Sequence, residues 1–181
     1  MIKMTYTVPL PSNHKNLQDE IIKELLQGTY ADISDIRVIN QLVITDQIGG
    51  FKIDVGVISP WSKTYSIQGG VHTSLLGRED AVLLYRGMFA HELAHIVLGH
   101  LRETSELNEL IRDGFSAEHI DKVFQRYEHQ ADEESIRRGL GMEVHKARAF
   151  YEDLLRSNGL DALISPYHYS SGELEQLVRR A

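Results

Sequence analysis

Cysteine is absent from the 181 residues of the sequence. Its absence excludes disulfide bonds, a zinc site with thiolate ligands and a catalytic thiol, and it agrees with a reducing compartment. The first residues, MIKMTYTVPLPSNHK, also lack the apolar core of a signal peptide. We therefore expect a cytoplasmic protein.

Long apolar runs and a surplus of basic residues are missing too. No apolar run approaches the roughly 18 residues that a transmembrane helix requires, so we expect no membrane span. The net charge is −7, which argues against nucleic acid as a partner. With 42% hydrophobic and 25% charged residues, the composition is that of a globular protein, and we predict a single domain over residues 1–181.

The most informative segment is His91–His95, which reads HELAH. Residues four apart on an α-helix lie on the same face, so the two histidines can bind one metal ion. Glu92 lies at the rim of that face, where a carboxylate can take a proton from a metal-bound water. Burying two histidines in an otherwise apolar helix would be costly without a ligand. The segment therefore predicts a zinc site with Glu92 as the general base.

The third ligand has to come from elsewhere in the chain. His100 is nine residues after His91, and about 900° of helical rotation places it on the opposite side, so we predict a structural or capping role for it. Glu128 is the preferred ligand, because Asp132 follows it by four residues and can orient a ligating histidine from the same helical face. The alternatives are His129, Glu118 and Asp132.

Together, HELAHIVLGH (91–100) and EHQAD (128–132) resemble the M48-type gluzincin metallopeptidases (Ste24/HtpX-like), and among these the minimal, soluble minigluzincins. The resemblance implies that zinc is bound by His91, His95 and Glu128. It further implies Glu92 as the general base and Asp132 as the residue that supports the ligands. The M78-type proteases share a similar layout and are the nearest alternative.

The resemblance extends upstream to the segment SIQGGVHTSLL (66–76). We predict a strand over Tyr65–Thr73, lying as an exposed edge along the cleft and binding an extended peptide by strand addition. Gly69 and Gly70 would permit close approach of that peptide. The alternative is a Gly-Gly hairpin turn without a binding role. Where the family usually has proline and asparagine, this chain has Gln68 and Lys63.

Near the C-terminus, the loop Ser165–Ser171 places His168 between two tyrosines. Pro166-Tyr167-His168 with Glu173 and Arg179 is similar to the family's HP…R segment. A histidine there can donate a hydrogen bond to an oxyanion, or the loop can cover the cleft and keep the enzyme latent. The third possibility is an incidental surface histidine.

Apolar periodicity predicts a sheet followed by helices, an α+β order. The resemblance implies a zincin-like form of it, with a small mixed sheet, an active-site helix and further helices. Gln47–Gly50 supplies a turn, and Gly139 and Gly141 stop a helix. The predicted helices are Asn16–Gln27, Glu79–Arg102, Ala117–Arg138, Glu143–Arg156 and Gly172–Arg180, and the predicted strands are Asp35–Thr45, Phe51–Ile58 and Tyr65–Thr73.

Three functions are compatible with these features. The first is a zinc-dependent endopeptidase that acts on peptides or proteins, and this is the one we favour. The second is an M78-type regulatory protease that cuts one partner protein, which an adjacent helix-turn-helix would favour; we find none in the sequence. The third is an inert zinc-binding interaction module, against which the presence of Glu92 argues, because a structural zinc site needs no base.

Overall fold

A computed structural model describes residues 8–9, 12–45, 51–54, 64–100, 112, 114 and 116–181. The chain divides into two compact units, Met1–Arg86 and Gly87–Ala181, and each is described separately. The single domain over 1–181 stays a prediction. The α+β class is confirmed, since a small mixed sheet is followed by helices.

The first unit contains a four-stranded sheet in the order β1-β2-β4-β3 among the described residues. β2 and β4 run parallel, whereas β1 and β3 are antiparallel to their neighbours. All three predicted strands are present, although the predicted turn at 47–50 lies outside the described residues. The strands are β1 (Val8–Pro9), β2 (Arg37–Thr45), β3 (Phe51–Asp54) and β4 (Thr64–His72).

The position of β4 corrects the predicted edge strand. β4 pairs with β2 on one side, from Arg37↔Thr64 to Thr45↔His72, and with β3 on the other. An inner strand has its backbone groups engaged on both sides and cannot add a peptide strand. Gly69 and Gly70 therefore lie inside a strand, neither at an exposed edge nor in a hairpin turn. Gly69 has a φ of 152°, which residues with side chains rarely adopt.

Helix α1 (Ser12–Gln27) contributes apolar residues to the core of the first unit. Ile21, Ile22 and Leu25 are buried, and their spacing is that of one helical face. Leu42 of β2 and the inner-strand residue Ile67 are buried in the same unit. The helix predicted over Asn16–Gln27 is thus confirmed, with its start one turn earlier.

The later helices also lie where periodicity placed them, except that the helix predicted over Glu79–Arg102 ends at Leu98. Gly139, with a φ of 84°, ends a helix as predicted because it permits the left-handed conformation. Gly141 does not stop a helix but begins the next one. The helices are α2 (Ala81–Leu98), α3 (Ala117–Arg137), α4 (Gly141–Ser157) and α5 (Ser171–Val178).

Close packing holds the helices of the second unit together. A Cβ added to Gly87 on α2 would lie 2.1 Å from the backbone oxygen of Glu143 on α4, so the two backbones touch at this glycine. The buried carboxylate of Glu152 on α4 accepts hydrogen bonds from the amide and hydroxyl of Ser171, the first residue of α5. Leu174 of α5 is fully buried.

By length and composition, α2 (Ala81–Leu98) qualifies as a segment that can cross a membrane. The absence of a membrane span stays a prediction: Arg86 and Glu92 interrupt the apolar residues of this helix, and 67% of it is buried, as in the core helix of a globular protein.

Candidate metal centre

Helix α2 brings two imidazoles together in the second unit. Leu93 and Ala94, which lie between the two histidines in the sequence, are fully buried, so this turn of the helix belongs to the core of the unit. His91 is buried, and its Nε2 lies 3.1 Å from Nε2 of His95. The shared face predicted from the spacing of four residues is therefore present.

Helix α3 adds a carboxylate to this pair. Oε2 of Glu128 lies 2.9 Å from Nε2 of His91 and 3.4 Å from Nε2 of His95. The three residues proposed as ligands from the sequence thus converge on one point. Their role as ligands stays a prediction.

Hydrogen bonds behind the two imidazoles set their tautomers. Nδ1 of His91 donates to Oδ1 of the fully buried Asp132 over 2.7 Å, so in the neutral ring Nε2 carries the lone pair. Nδ1 of His95 lies 2.9 Å from Nδ1 of His100, whose Nε2 donates to Oε1 of Gln130 over 3.2 Å. His100 Nδ1 must therefore accept, and Nε2 of His95 also carries a lone pair.

The predicted orientation of His100 is wrong. Helix α2 ends at Leu98, and Gly99, with a φ of 75°, turns the chain, so rotation along a continuous helix does not apply. His100 is buried and stacks on the ring of Tyr127 at 4.4 Å. A structural role for His100 was predicted, but its contact with His95 was not.

With neutral rings, these three atoms face one another with their lone pairs and can hold a proton or a metal ion between them. Burial lowers the pKa of His91, but the carboxylates of Asp132 and Glu128 outweigh it and raise this pKa to about 10. Burial acts against ionisation of Glu128, yet His91 and His95 hold its pKa far below the usual range. The same position that attracts a proton can hold a metal ion.

Glu92 lies half-buried beside this group. Burial raises the pKa of its carboxyl, and the charge of Glu128 adds to the increase, while His91 and His95 oppose it. A carboxylate with a raised pKa is a better proton acceptor. This is the property that a general base requires.

His168 reaches the group from the loop before α5. Its Nδ1 lies 3.1 Å from Oε2 of Glu128, and metal-binding atoms of His91, Glu128 and His168 all lie within 4.8 Å of one another. These three residues form a group that can hold a metal ion. The interpretation of His168 as an incidental surface residue is therefore wrong.

Arg148 of α4 was not singled out from the sequence. Its Nη2 donates to Nδ1 of His168 over 2.7 Å and lies 3.9 Å from Oδ2 of Asp132. Burial lowers the pKa of His168, and the charges of Arg148 and His91 lower it further, to about 3. His168 is therefore neutral. The surrounding residues, HKARAF, contain no motif, so sequence reasoning had no signal for Arg148.

Two tyrosines hold the loop of His168 on α3. The hydroxyl of Tyr167 donates to Oδ1 of Asp121 over 2.8 Å. The hydroxyl of Tyr169 donates to Oε1 of Glu133 over 2.7 Å, and its ring stacks on His129 at 3.7 Å. His168 is thereby directed toward Glu128 from between two fixed neighbours.

The remaining candidates serve other contacts. Glu118, with 80% of its side chain exposed, pairs with Lys122, and His129 stacks on Tyr169. Glu173 completes the capping box at the start of α5, and Arg179 pairs with Glu175 on that helix. Asp132 supports His91, as predicted from its spacing to Glu128.

Comparison with models of protein families, with curated proteins and with solved structures finds no match for this chain.

Proposed function

We propose that this chain is a zinc-dependent endopeptidase of the M48-type gluzincin kind, with a zincin-like fold. The observation that carries the proposal is the convergence of Nε2 of His91, Nε2 of His95 and Oε2 of Glu128 at 2.9 to 3.4 Å. Zinc bonds of about 2.0–2.1 Å imply about 3.3 Å between ligand atoms in a tetrahedral site. The observed separations suit zinc.

The composition of the donor set supports a catalytic rather than a structural ion. Two histidines and one carboxylate are the ligands of hydrolytic zinc sites, which keep a fourth position open. When bound there, zinc supplies Lewis-acid chemistry, because it lowers the pKa of water and polarises a carbonyl. Asp132 and His100 keep both imidazoles in the tautomer that ligation requires.

Glu92 is the proposed general base. It directly follows His91 on α2, and its carboxylate would accept a proton from the attacking water and then pass that proton to the leaving amine. His168 is proposed to donate a hydrogen bond to the oxyanion of a peptide or protein substrate. The support is that its Nδ1 accepts from Arg148, which leaves the proton of the neutral ring on Nε2.

The test compares wild type with Glu92→Gln for zinc content and for casein hydrolysis. Glu92→Gln keeps all three ligands, so we expect bound zinc to be unchanged and activity to fall by on the order of 10²–10⁴. Glu118→Gln, an exposed residue of α3, is the matched control and should keep both properties. An active Glu92→Gln protein would refute the mechanism.

A further inference from the structure

We propose that Arg148 keeps His168 out of the coordination sphere of the metal and so preserves the open position that hydrolysis needs. The inference rests on the proposed function, since it assumes that His91, His95 and Glu128 bind zinc. It assigns Arg148 as a positioning residue that acts through His168.

Arg148 occupies the lone pair of Nδ1 in His168. A neutral imidazole has one nitrogen with a lone pair and one with a proton. A guanidinium group has donors only, so the 2.7 Å contact from Nη2 of Arg148 occupies the lone pair of Nδ1. The other nitrogen carries the proton. Neither nitrogen is then free to bind a metal ion.

His168 lies where a fourth ligand of the metal would be placed. Its Nδ1 is 3.1 Å from Oε2 of Glu128, and it belongs to the group of atoms within 4.8 Å that can hold an ion. A fourth ligand would come from this place. The loop is held there by Tyr167 and Tyr169 through Asp121 and Glu133, so the availability of a lone pair on the ring, more than the position of the ring, decides whether it binds.

Arg148 is largely buried beside Asp132. Its side chain is only 19% exposed and lies 3.9 Å from Oδ2 of the fully buried Asp132. Asp132 already accepts from His91 through its other oxygen, Oδ1. One carboxylate thus supports a metal ligand with one oxygen and lies beside the guanidinium with the other.

The contact of Arg148 with His168 decides which of two kinds of zinc site forms. Four protein ligands close a zinc site and make it structural, whereas three leave a position for water and substrate. With Arg148 on its Nδ1, His168 remains a hydrogen-bond donor and the site has three ligands. Without Arg148, the lone pair is free and the site gains a fourth.

The test uses Arg148→Met, which removes the donors but keeps much of the apolar part of the side chain, together with Arg148→Met/His168→Ala. We expect Arg148→Met to bind zinc on the order of tenfold more tightly in competition with a chelator and to lose hydrolytic activity. Its cobalt-substituted form should show a changed absorption spectrum. Adding His168→Ala should reverse the gain in affinity. Arg148→Lys, which retains a charged donor, should remain close to wild type.

Two outcomes separate this inference from the proposed function. A wild-type protein that binds no zinc would defeat both, whereas a zinc-bound, active wild type whose affinity and cobalt spectrum are unchanged by Arg148→Met would defeat the inference alone. ¹⁵N NMR of metal-free wild type tests the tautomer assigned to His168 without any variant. A His168 ring with its proton on Nδ1 would overturn it, and a proton on Nε2 would support it.

Discussion

Nδ1 of His95 lies 2.9 Å from Nδ1 of His100, the residue to which Gly99 returns the chain after α2 ends. The other imidazole of the pair, His91, instead donates to the carboxylate of Asp132. One proposed ligand is therefore supported by an anion and the other by a neutral ring. An anionic acceptor raises the basicity of an imidazole more than a neutral one does. The contact with His100 therefore supports His95 by fixing its tautomer and ring orientation, rather than by raising its basicity.

The first prediction concerns His100. We expect His100→Ala to weaken zinc binding by about 10–100-fold, since His95 loses the partner that fixes its tautomer and ring orientation. Chelator competition measures the affinity. His119→Ala, which removes an exposed histidine of α3, is the control. Equal affinities for His100→Ala and wild type would mean that the contact does not support the site.

The second prediction concerns the third ligand. Glu128→Ala should retain well under one equivalent of zinc after dialysis, because the carboxylate proposed to complete the three-ligand set is lost. His91→Ala should behave alike. Metal analysis by mass spectrometry gives the stoichiometry, and Glu118→Ala on the same helix should retain full zinc. Full occupancy in Glu128→Ala would assign the third ligand elsewhere.

The third prediction concerns the contact of α2 with α4. Gly87→Ala places a methyl group 2.1 Å from the backbone oxygen of Glu143, and backbone must shift to admit it. We expect a loss of about 1–3 kcal/mol in the free energy of unfolding, measured by urea denaturation. Gly172→Ala on α5, where an added Cβ meets nothing within 4 Å, should leave stability unchanged or raise it. Equal effects of the two substitutions would contradict the packing described.

The fourth prediction concerns pH and Glu134, a buried residue of α3. Hydrogen bonds from Arg137 lower the pKa of Glu134 against the effect of burial, and Arg138 lowers it further. A lowered folded-state pKa contributes stability above the unfolded value, and this contribution is lost as the pH falls through the folded value. We expect Glu134→Gln to cost about 1 kcal/mol at pH 7.

The difference between Glu134→Gln and wild type should then shrink as the pH falls below 4.5. Urea midpoints at pH 7 and pH 3 measure it. Glu118→Gln, in an exposed pair with Lys122, should show little difference at either pH. A constant gap for Glu134→Gln across this range would show that the charge of Glu134 is not responsible.

The features that could be predicted from the sequence are local ones. The spacing of His91 and His95 on α2, and of Glu128 and Asp132 on α3, follows from 3.6 residues per turn. The helices and strands follow from apolar periodicity in the same way. The choice of Glu128 as a partner for His91 and His95 came from its pairing with Asp132 and from the resemblance, because spacing within one helix does not determine which helix it meets.

What could not be predicted depends on contacts between distant segments or on where one helix ends. The order of strands in a sheet is set by pairing across the whole unit, so β4 emerged as an inner strand although its residues suited an edge. His100 was misplaced because a single glycine, Gly99, ended the helix first. Arg148 meets His168 only through the packing of α4 with the following loop.

The two tyrosine hydrogen bonds that attach the His168 loop to α3 fix the position of the loop along the helix. Asp121 and Glu133 are twelve residues apart on one helix, about 18 Å, whereas the Cα atoms of Tyr167 and Tyr169 can be at most about 7 Å apart. The two tyrosines must therefore extend in opposite directions along the helix to reach their partners. A loop stretched in this way fits only one register on α3, because sliding toward either carboxylate releases the other tyrosine. The spacing of Asp121 and Glu133 thus fixes the position of His168 along α3, at the level of Glu128.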